Sequence, residues 1–187
     1  MLLAFHKPYG VISQFTPDGS SSQTLQSFNF PKNVYSLGRL DADSEGLLLL
    51  SDESGLNTRL LDPENRHKRS YWVQVEGLPT VESLQKLRQG PAIQGHRCLP
   101  CQARILEPQP SLPARNPPIR ERKTIPTCWL ELELIEGKNR QVRRMTASAG
   151  HPTLRLLRVK IGDFQLRVLA PGEWRELDVS ERGLVMA

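Results

Sequence analysis

The stretch that decides the fold of this 187-residue chain lies at residues 38–50 and reads GRLDADSEGLLLL. Its four consecutive leucines are bounded by polar residues, which predicts a buried core strand over residues 46–51. Three acidic residues, Asp41, Asp43 and Glu45, crowd the short turn that leads into this strand. Like charges held close together cost free energy unless something compensates them, so the turn needs an explanation.

Three interpretations of the acidic turn remain open at this point. A metal-binding loop is one, although the Asp-x-Asp-x-Glu spacing lacks the later ligands and the glycine of a calcium-binding loop. A solvated turn with Ser44 as a cap is the second. The third is a catalytic carboxylate held at the mouth of a strand.

The sequence pattern of the rest of the chain predicts mainly strands. Residues 2–7 and 11–15 form short apolar segments, and residues 71–75 and 130–134 alternate between apolar and polar side chains. A helix is predicted over residues 139–149, with Val142, Met145 and Ala149 on its apolar face and Arg143 on the flank of that face. Most connections are too short for parallel crossovers, which favours an α+β fold with an antiparallel-rich mixed sheet and a few flanking helices.

A polar, basic link at residues 64–70 divides the chain into two predicted subdomains. The N-terminal one, residues 1–65, carries Asp41, and the C-terminal one spans residues 66–187. The longest aliphatic run, residues 47–50, is far shorter than the roughly 20 residues of a membrane span. Residues 1–6 show no signal peptide and three cysteines cannot pair evenly, so we expect a cytoplasmic protein with no membrane contact.

The charge is basic and unevenly distributed. The net charge is +5, from 25 basic and 20 acidic residues, and residues 94–187 hold 16 basic against 10 acidic residues. Arginine, which suits planar contacts with phosphate, supplies 18 of the 25 basic residues. A polyanionic partner is therefore expected, nucleic acid ahead of a membrane surface, and a solvated basic surface is the alternative.

One cysteine pair, Cys98 and Cys101, has C-x-x-C spacing. Such a pair forms half of a zinc site, a redox pair or two structural thiols. The sequence contains no second paired motif, so structural thiols are the favoured interpretation. We expect neither a metal nor another cofactor.

Four ordered motifs resemble those of the RsuA and RluA families of pseudouridine synthases. They are HKPYGV at residues 6–11, GRLD-x-x-S-x-GLL at 38–48, RSYWV at 69–73, and GKNRQVRRM at 137–145 with GHP at 150–152 and LLR at 156–158. The NRQVRRM form at residues 139–145 is similar to the RsuA branch. Arg69 stands where these families usually have lysine, which leaves the role of that position open. The resemblance implies the pseudouridine synthase fold, with a catalytic cleft between the two subdomains.

The resemblance also implies catalytic roles. Asp41 is the catalytic carboxylate, which attacks C1′ of the ribose, attacks C6 of the base, or assists a glycal intermediate. Arg143 is the cation that keeps this carboxylate charged, with a phosphate contact or a surface charge as the plainer alternative. Tyr71 stacks on the uracil or helps to remove its C5 proton, and Leu156 forms an apolar wall against the base. For both of these residues a core position is the alternative.

Phosphate contacts are expected from the basic C-terminal half and from Arg39. Residues 108–126 form a proline-rich arm, and its part from residue 115 to 123 resembles members of the branch that lack an N-terminal RNA-binding module of the S4 type. This chain is accordingly expected to have no S4 module. The predicted RNA-binding residues, besides Leu156, are Arg39, Arg115, Arg120, Arg122, Lys123, Lys138, Asn139, Arg140, Arg144 and Arg158.

The implied function is isomerisation of a specific uridine in large-subunit (23S) ribosomal RNA by a monomeric enzyme. Two alternatives stay open. One is a non-catalytic RNA-binding factor for ribosome assembly with the same fold, and the other is the same chemistry on transfer RNA. The intact set of Asp41, Tyr71 and Arg143 argues against a non-catalytic protein.

Overall fold

The computed structural model describes residues 1–120, 122–167 and 169–187. The chain forms two compact units, Met1–His67 with Leu157–Ala187, and Lys68–Leu156. The sequence places a boundary at residue 65 and assigns everything after it to a second subdomain. The structure instead returns the last 31 residues to the first unit. The reason is strand pairing, since Trp174–Glu176 hydrogen-bonds along Leu2–Lys7 at the start of the chain.

The first unit is built on a mixed sheet. Its strands are β1 (Leu2–Lys7), β2 (Tyr35–Leu37), β3 (Glu45–Ser51), the end of β9 (Thr153–Ile161), β10 (Phe164–Gln165) and β11 (Trp174–Glu176). They lie in the order β11–β1–β3–β9, with β2 paired to β3 and β10 to β9. Strand β1 runs antiparallel to β11 and β3, whereas β3 and β9 run parallel. The predicted core strand at residues 46–51 is therefore confirmed as β3.

The four leucines of β3 serve two cores. Leu47 and Leu49 pack in one hydrophobic cluster, and Leu48 and Leu50 pack in another. Successive strand residues point to opposite faces, so a strand covered on both faces has no polar alternation in its sequence. The helices of this unit are α1 (Leu56–Leu61), α4 (Val179–Val185) and the 3₁₀ turns Leu25–Phe28 and Pro63–Asn65.

The second unit pairs a four-stranded sheet with two helices. Its elements are β4 (Arg69–Glu76), α2 (Val81–Arg88), β5 (Ala92–Ile93), β6 (His96–Arg97), β7 (Gln102–Ile105), β8 (Thr127–Leu134), α3 (Gln141–Ser148) and the start of β9. The sheet order is β9–β4–β8–β7, and β8 is antiparallel to both neighbours. Leu130, Leu132 and Leu134 of β8 are buried in one cluster with Val142 and Met145 of α3. This confirms the alternation predicted for residues 130–134 and the apolar face of the predicted helix.

Two sequence predictions need correction. Residues 11–15 do not form a strand, because only an isolated bridge joins Val11 to Gln23. The helix predicted over residues 139–149 is shorter, since Arg140 has a φ of 50° and a left-handed residue does not continue a right-handed helix. Within the described part of the chain, no helix is both long enough and apolar enough to cross a membrane.

Candidate active site

The acidic turn of the first unit, residues 40–45, is here named the carboxylate loop. Asp41 and Asp43 are half-buried in it, and Glu45 is buried at the start of β3. The turn is closed by the Ser44 amide, which donates to the Asp41 carbonyl at 3.0 Å. The Gly10 amide donates to the carbonyl of Ala42 at 2.7 Å, so main-chain bonds fix the loop. Asp41 is thereby presented from a rigid support.

Lys7 places a buried amine beside the acidic turn, where it interacts with the carboxylates of that turn. Its side chain is fully buried, and its Nζ donates to the carbonyls of Val11 at 2.6 Å and Pro8 at 3.0 Å. Burial lowers the pKa of Lys7 to about 7, although the charges of Glu45, Asp43 and Asp41 act in the opposite direction. The sequence analysis assigned Lys7 no role. The feature that could have indicated one is a lysine at the end of an otherwise largely apolar strand.

Gly46 and Arg158 fit together beneath the carboxylate loop. Gly46 has a φ of 101°, and a Cβ there would lie 2.3 Å from the Arg158 carbonyl oxygen, so glycine is required. The Arg158 side chain is buried, and its Nε donates to the Leu47 carbonyl at 2.8 Å. Its positive charge helps to lower the pKa of Lys7. This buried position favours a supporting role for Arg158 over the exposed phosphate contact predicted from sequence.

The second unit gathers three of the predicted site residues around one apolar cluster. Tyr71 of β4 is half-buried against this cluster, which also contains Leu156 of β9. Val142 and Met145 anchor α3 in the same cluster, and α3 carries the half-buried Arg143 between them. Tyr71, Leu156 and the helix of Arg143 therefore share one packed support, whereas Asp41 belongs to the first unit.

The loop before α3 is organised by Gln141, which sequence reasoning did not single out. Gln141 is buried, its Nε2 donates to Glu136 Oε1 at 2.5 Å, and its Oε1 accepts from the Lys138 amide at 2.9 Å. Glu136 also accepts from the Leu99 amide at 2.8 Å. These bonds hold the loop and leave the Lys138 side chain exposed, 3.8 Å from the Glu136 carboxylate.

Three predicted RNA contacts lie around the start of α3. Arg140 and Asn139 are exposed, and Arg144 is half-buried. Arg144 donates from Nη1 to the Asn139 carbonyl at 2.6 Å and from Nη2 to Asn139 Oδ1 at 3.0 Å. Arg140 directly precedes the helix, and its carbonyl accepts from the Arg144 amide at 3.1 Å.

The proline-rich arm presents its four cations unequally. Arg115 is half-buried and donates to the carbonyls of Pro117 at 2.8 Å and Pro118 at 3.3 Å. Arg122 Nε lies 3.6 Å from the Glu76 carboxylate, with more than half of its side chain exposed. Arg120 and Lys123 are exposed. Within this arm Arg115 acts as a brace, and Arg120 and Lys123 are the cations best placed to meet a polyanion.

The structure also places the predicted RNA contact Arg39 and the cysteines. Arg39 is exposed and donates from Nη2 to Gln14 Oε1 at 3.5 Å. All three cysteines are free thiols, and burial raises the pKa of Cys101 to about 11, which disfavours the reactive thiolate. Among the residues described, no group of three histidine, cysteine, aspartate or glutamate side chains could hold a metal ion.

Comparison with known proteins gives consistent matches. Residues 1–148 match the family described as RNA pseudouridylate synthase. The ribosomal large subunit pseudouridine synthase E of Xanthomonas axonopodis pv. citri is 54% identical over 172 residues, which cover 91% of this chain and 90% of that protein. The protein of the same name from Vibrio vulnificus is 48% identical over 178 residues, which cover 95% of this chain and 75% of that protein.

A solved structure confirms the predicted fold. The crystal structure of a pseudouridylate synthase has a TM-score of 0.79 and 26% sequence identity, and the match covers 98% of this chain and 73% of that one. The family match spans the carboxylate loop, Tyr71 and Arg143 alike. The chain therefore belongs to the RNA pseudouridylate synthase family and is an isomerase that acts on RNA.

Proposed function

We propose that this enzyme converts one specific uridine of large-subunit (23S) ribosomal RNA to pseudouridine, as a monomer in the cytoplasm. Relatives named as large-subunit pseudouridine synthases support this substrate, because their similarity extends over nine tenths of this chain. The basic half of the chain, with 16 basic and 10 acidic residues, suits a polyanionic substrate.

The reaction breaks the bond between ribose C1′ and uracil N1 and forms a bond between C1′ and C5. The uracil gains a proton at N1 and loses one from C5, so substrate and product have the same composition. No electron is transferred and no metal is needed. The enzyme must provide a charged group near C1′, a surface that holds the detached base, and a route for the C5 proton.

The carboxylate loop is the observation that carries the proposal. Asp41 is half-buried, its neighbours are held by hydrogen bonds, and the buried amine of Lys7 interacts electrostatically with the carboxylates of the loop. A carboxylate on such a support is suited to covalent or electrostatic catalysis, since its position does not have to reorganise during the reaction. We assign Asp41 as the catalytic carboxylate.

The second unit supplies the proposed groups for the base. The half-exposed ring of Tyr71 is available for stacking, which contributes about 1–3 kcal/mol per base in readers of single strands. Leu156 lies in the apolar cluster against which Tyr71 packs, and it serves as the apolar wall. Arg143, on the adjoining helix, is assigned by its motif as the cation that favours the charged carboxylate.

The proposed RNA contacts are the cations, together with Asn139, that the structure leaves accessible. Extruding a stacked base costs a few kcal/mol, so a loop or distorted segment of ribosomal RNA is the favoured target. The exposed residues assigned to this role are Arg39, Arg120, Arg122, Lys123, Lys138, Asn139 and Arg140.

Mapping of pseudouridine decides between the candidate substrates. Purified enzyme and the Asp41→Asn variant are incubated separately with 23S ribosomal RNA, 16S ribosomal RNA and transfer RNA, and new pseudouridines are located by chemical marking and primer extension. We expect one new site in 23S RNA with the wild-type enzyme and none with the variant. A product in transfer RNA alone would identify the other substrate class, and tight 23S binding without any product would favour the assembly-factor alternative. The same 23S position should be unmodified in a strain that lacks the gene.

A further inference from the structure

Ser13 joins the corrected segment at residues 11–15 to the carboxylate loop. Its hydroxyl is buried, donates to the Leu40 carbonyl at 2.8 Å and accepts from the Leu40 amide at 3.0 Å. One side chain thus satisfies both main-chain polar groups of the residue that directly precedes Asp41. The carbonyl of Ser13 accepts from Ser36 Oγ at 3.1 Å, which ties this segment to β2.

The two residues that flank Asp41 are held by the same stretch of chain. Ser13 bonds Leu40 before it, and Gly10 bonds Ala42 after it at 2.7 Å. The Asp41 carbonyl is engaged in the turn with the Ser44 amide. With both neighbours fixed, the main-chain dihedral angles of Asp41 have little freedom, so the direction of its Cα–Cβ bond is set in advance.

We infer that Ser13 is a positioning residue for the pseudouridine-forming reaction, whose hydroxyl fixes the Leu40 peptide groups and so orients the Asp41 carboxylate. This inference rests on the proposed role of Asp41. A misplacement of about 1 Å in a reacting group can lower a rate by a factor of about 100. A residue that acts only on orientation should change turnover and leave RNA binding intact.

The chain contains a matched control at the other end of β3. Ser51 is also fully buried, and its hydroxyl donates to the Met1 carbonyl at 2.6 Å and accepts from the Glu53 amide at 3.1 Å. Its bonding pattern is that of Ser13, with one carbonyl and one amide. Ser51 lies six positions along the strand from Glu45, a distance of about 20 Å. Loss of this hydroxyl should therefore cost comparable stability and leave the carboxylate loop unaffected.

The test compares Ser13→Ala with Ser51→Ala in the full chain. Single-turnover and steady-state kinetics on a 23S RNA fragment are corrected for the folded fraction from thermal unfolding. We expect Ser13→Ala to lower kcat about 10- to 100-fold with KM within about twofold, and Ser51→Ala to leave both within about twofold. Equal kcat values for the two variants, or a Ser13→Ala effect confined to KM, would overturn the inference.

Hydrogen exchange tests the bonds between Ser13 and Leu40 without an activity measurement. In Ser13→Ala the Leu40 amide should exchange faster while the Glu53 amide is unchanged, and Ser51→Ala should show the reverse. An unchanged exchange rate of the Leu40 amide would show that the Ser13 hydroxyl does not hold the Leu40 peptide groups. If Ser13→Ala does not fold, Ser13→Cys takes its place, because a thiol bonds more weakly, and a kcat equal to wild type would contradict the positioning role.

The controls separate this inference from the proposed function. A wild-type enzyme that forms no pseudouridine in 23S RNA would refute the proposed substrate. An active Asp41→Asn variant would refute the role of Asp41 and with it the positioning role of Ser13.

Discussion

The carboxylate loop and the proline-rich arm hold their charged side chains in opposite ways. The loop is fixed by buried groups, since Lys7 and Ser13 are almost fully shielded from solvent and bond main-chain atoms around it. The arm has main-chain attachments such as the bond from Arg155 Nη1 to the Pro113 carbonyl at 2.8 Å. Its cations Arg120 and Lys123 remain exposed.

This difference separates chemistry from binding. A reacting group gains from a support that does not reorganise, and buried hydrogen bonds provide one. Phosphate contacts act through solvent-exposed charge, and each contributes a similar, salt-dependent increment. Substitutions in the loop should therefore have large and specific effects, whereas substitutions in the arm should have small and additive ones.

The largest effect is expected at Asp41. The Asp41→Asn variant keeps the shape of the side chain and loses its charge, so the isomerisation rate should fall by about 10⁴-fold or more. RNA affinity should stay within a few fold, because the exposed cations are unchanged. Rate measurements at saturating 23S RNA together with a binding titration check both parts, and near-normal turnover would show that Asp41 is not the catalytic group.

A pH-dependent stability difference is expected at Lys7. Its pKa in the fold is about 7, well below that of an unfolded lysine, so between about pH 7 and 10 the unfolded chain binds more protons. This group therefore makes stability rise with pH in that range, by roughly 1.4 kcal/mol per pH unit at most. The charged form of Lys7 is disfavoured in the fold. This group therefore lowers the free energy of unfolding most below pH 7.

The measurement is urea unfolding of wild type and Lys7→Met at pH 7, 8 and 9. The stability of wild type relative to the variant should increase with pH, because the variant lacks only this titration. A difference that stays constant or decreases would mean that Lys7 remains charged in the fold.

A moderate effect is expected in the arm. With about 0.7 counterion per contact on single strands, Arg120→Ala with Lys123→Ala should make the slope of log affinity against log salt shallower by about 1.4. Turnover at saturating RNA should persist, since the carboxylate loop is untouched. Titrations at several salt concentrations measure the slope. An unchanged slope would indicate that RNA binds near Arg140 and Arg144 and not along the arm.

Arg122 refines the same experiment. The sequence alone predicts a change of about two for the triple alanine variant of Arg120, Arg122 and Lys123. The structure places Arg122 beside the Glu76 carboxylate, so its share should be smaller than that of a solvent-facing cation. A full further increment of about 0.7 on adding Arg122→Ala would show that RNA displaces this ion pair.

The smallest effect is expected from metal removal. The isomerisation transfers no electrons, and the thiols of Cys98 and Cys101 have pKa values raised by burial. Activity should be unchanged after prolonged dialysis against a strong chelator. Loss of activity that zinc restores would overturn the structural interpretation of this cysteine pair.

The sequence by itself determined the family, the buried strand β3 and the alternation of β8. Such features are local or depend on ordered motifs, as in the run from Leu47 to Leu50 and the segment from residue 137 to 145. The sequence also named Asp41, Tyr71 and Arg143 as the catalytic set, and that assignment stays a prediction for kinetics to test.

The tertiary structure decided what surrounds those residues. The burial of Lys7 under the carboxylates follows from the pairing of β1 with β3, in which Lys7 lies opposite Gly46. The return of the C-terminal segment to the first unit and the bonds of Ser13 to Leu40 depend on contacts between residues far apart in the chain. Sequence patterns report local periodicity and turn chemistry, whereas burial and hydrogen-bond partners are set by which segments pack together.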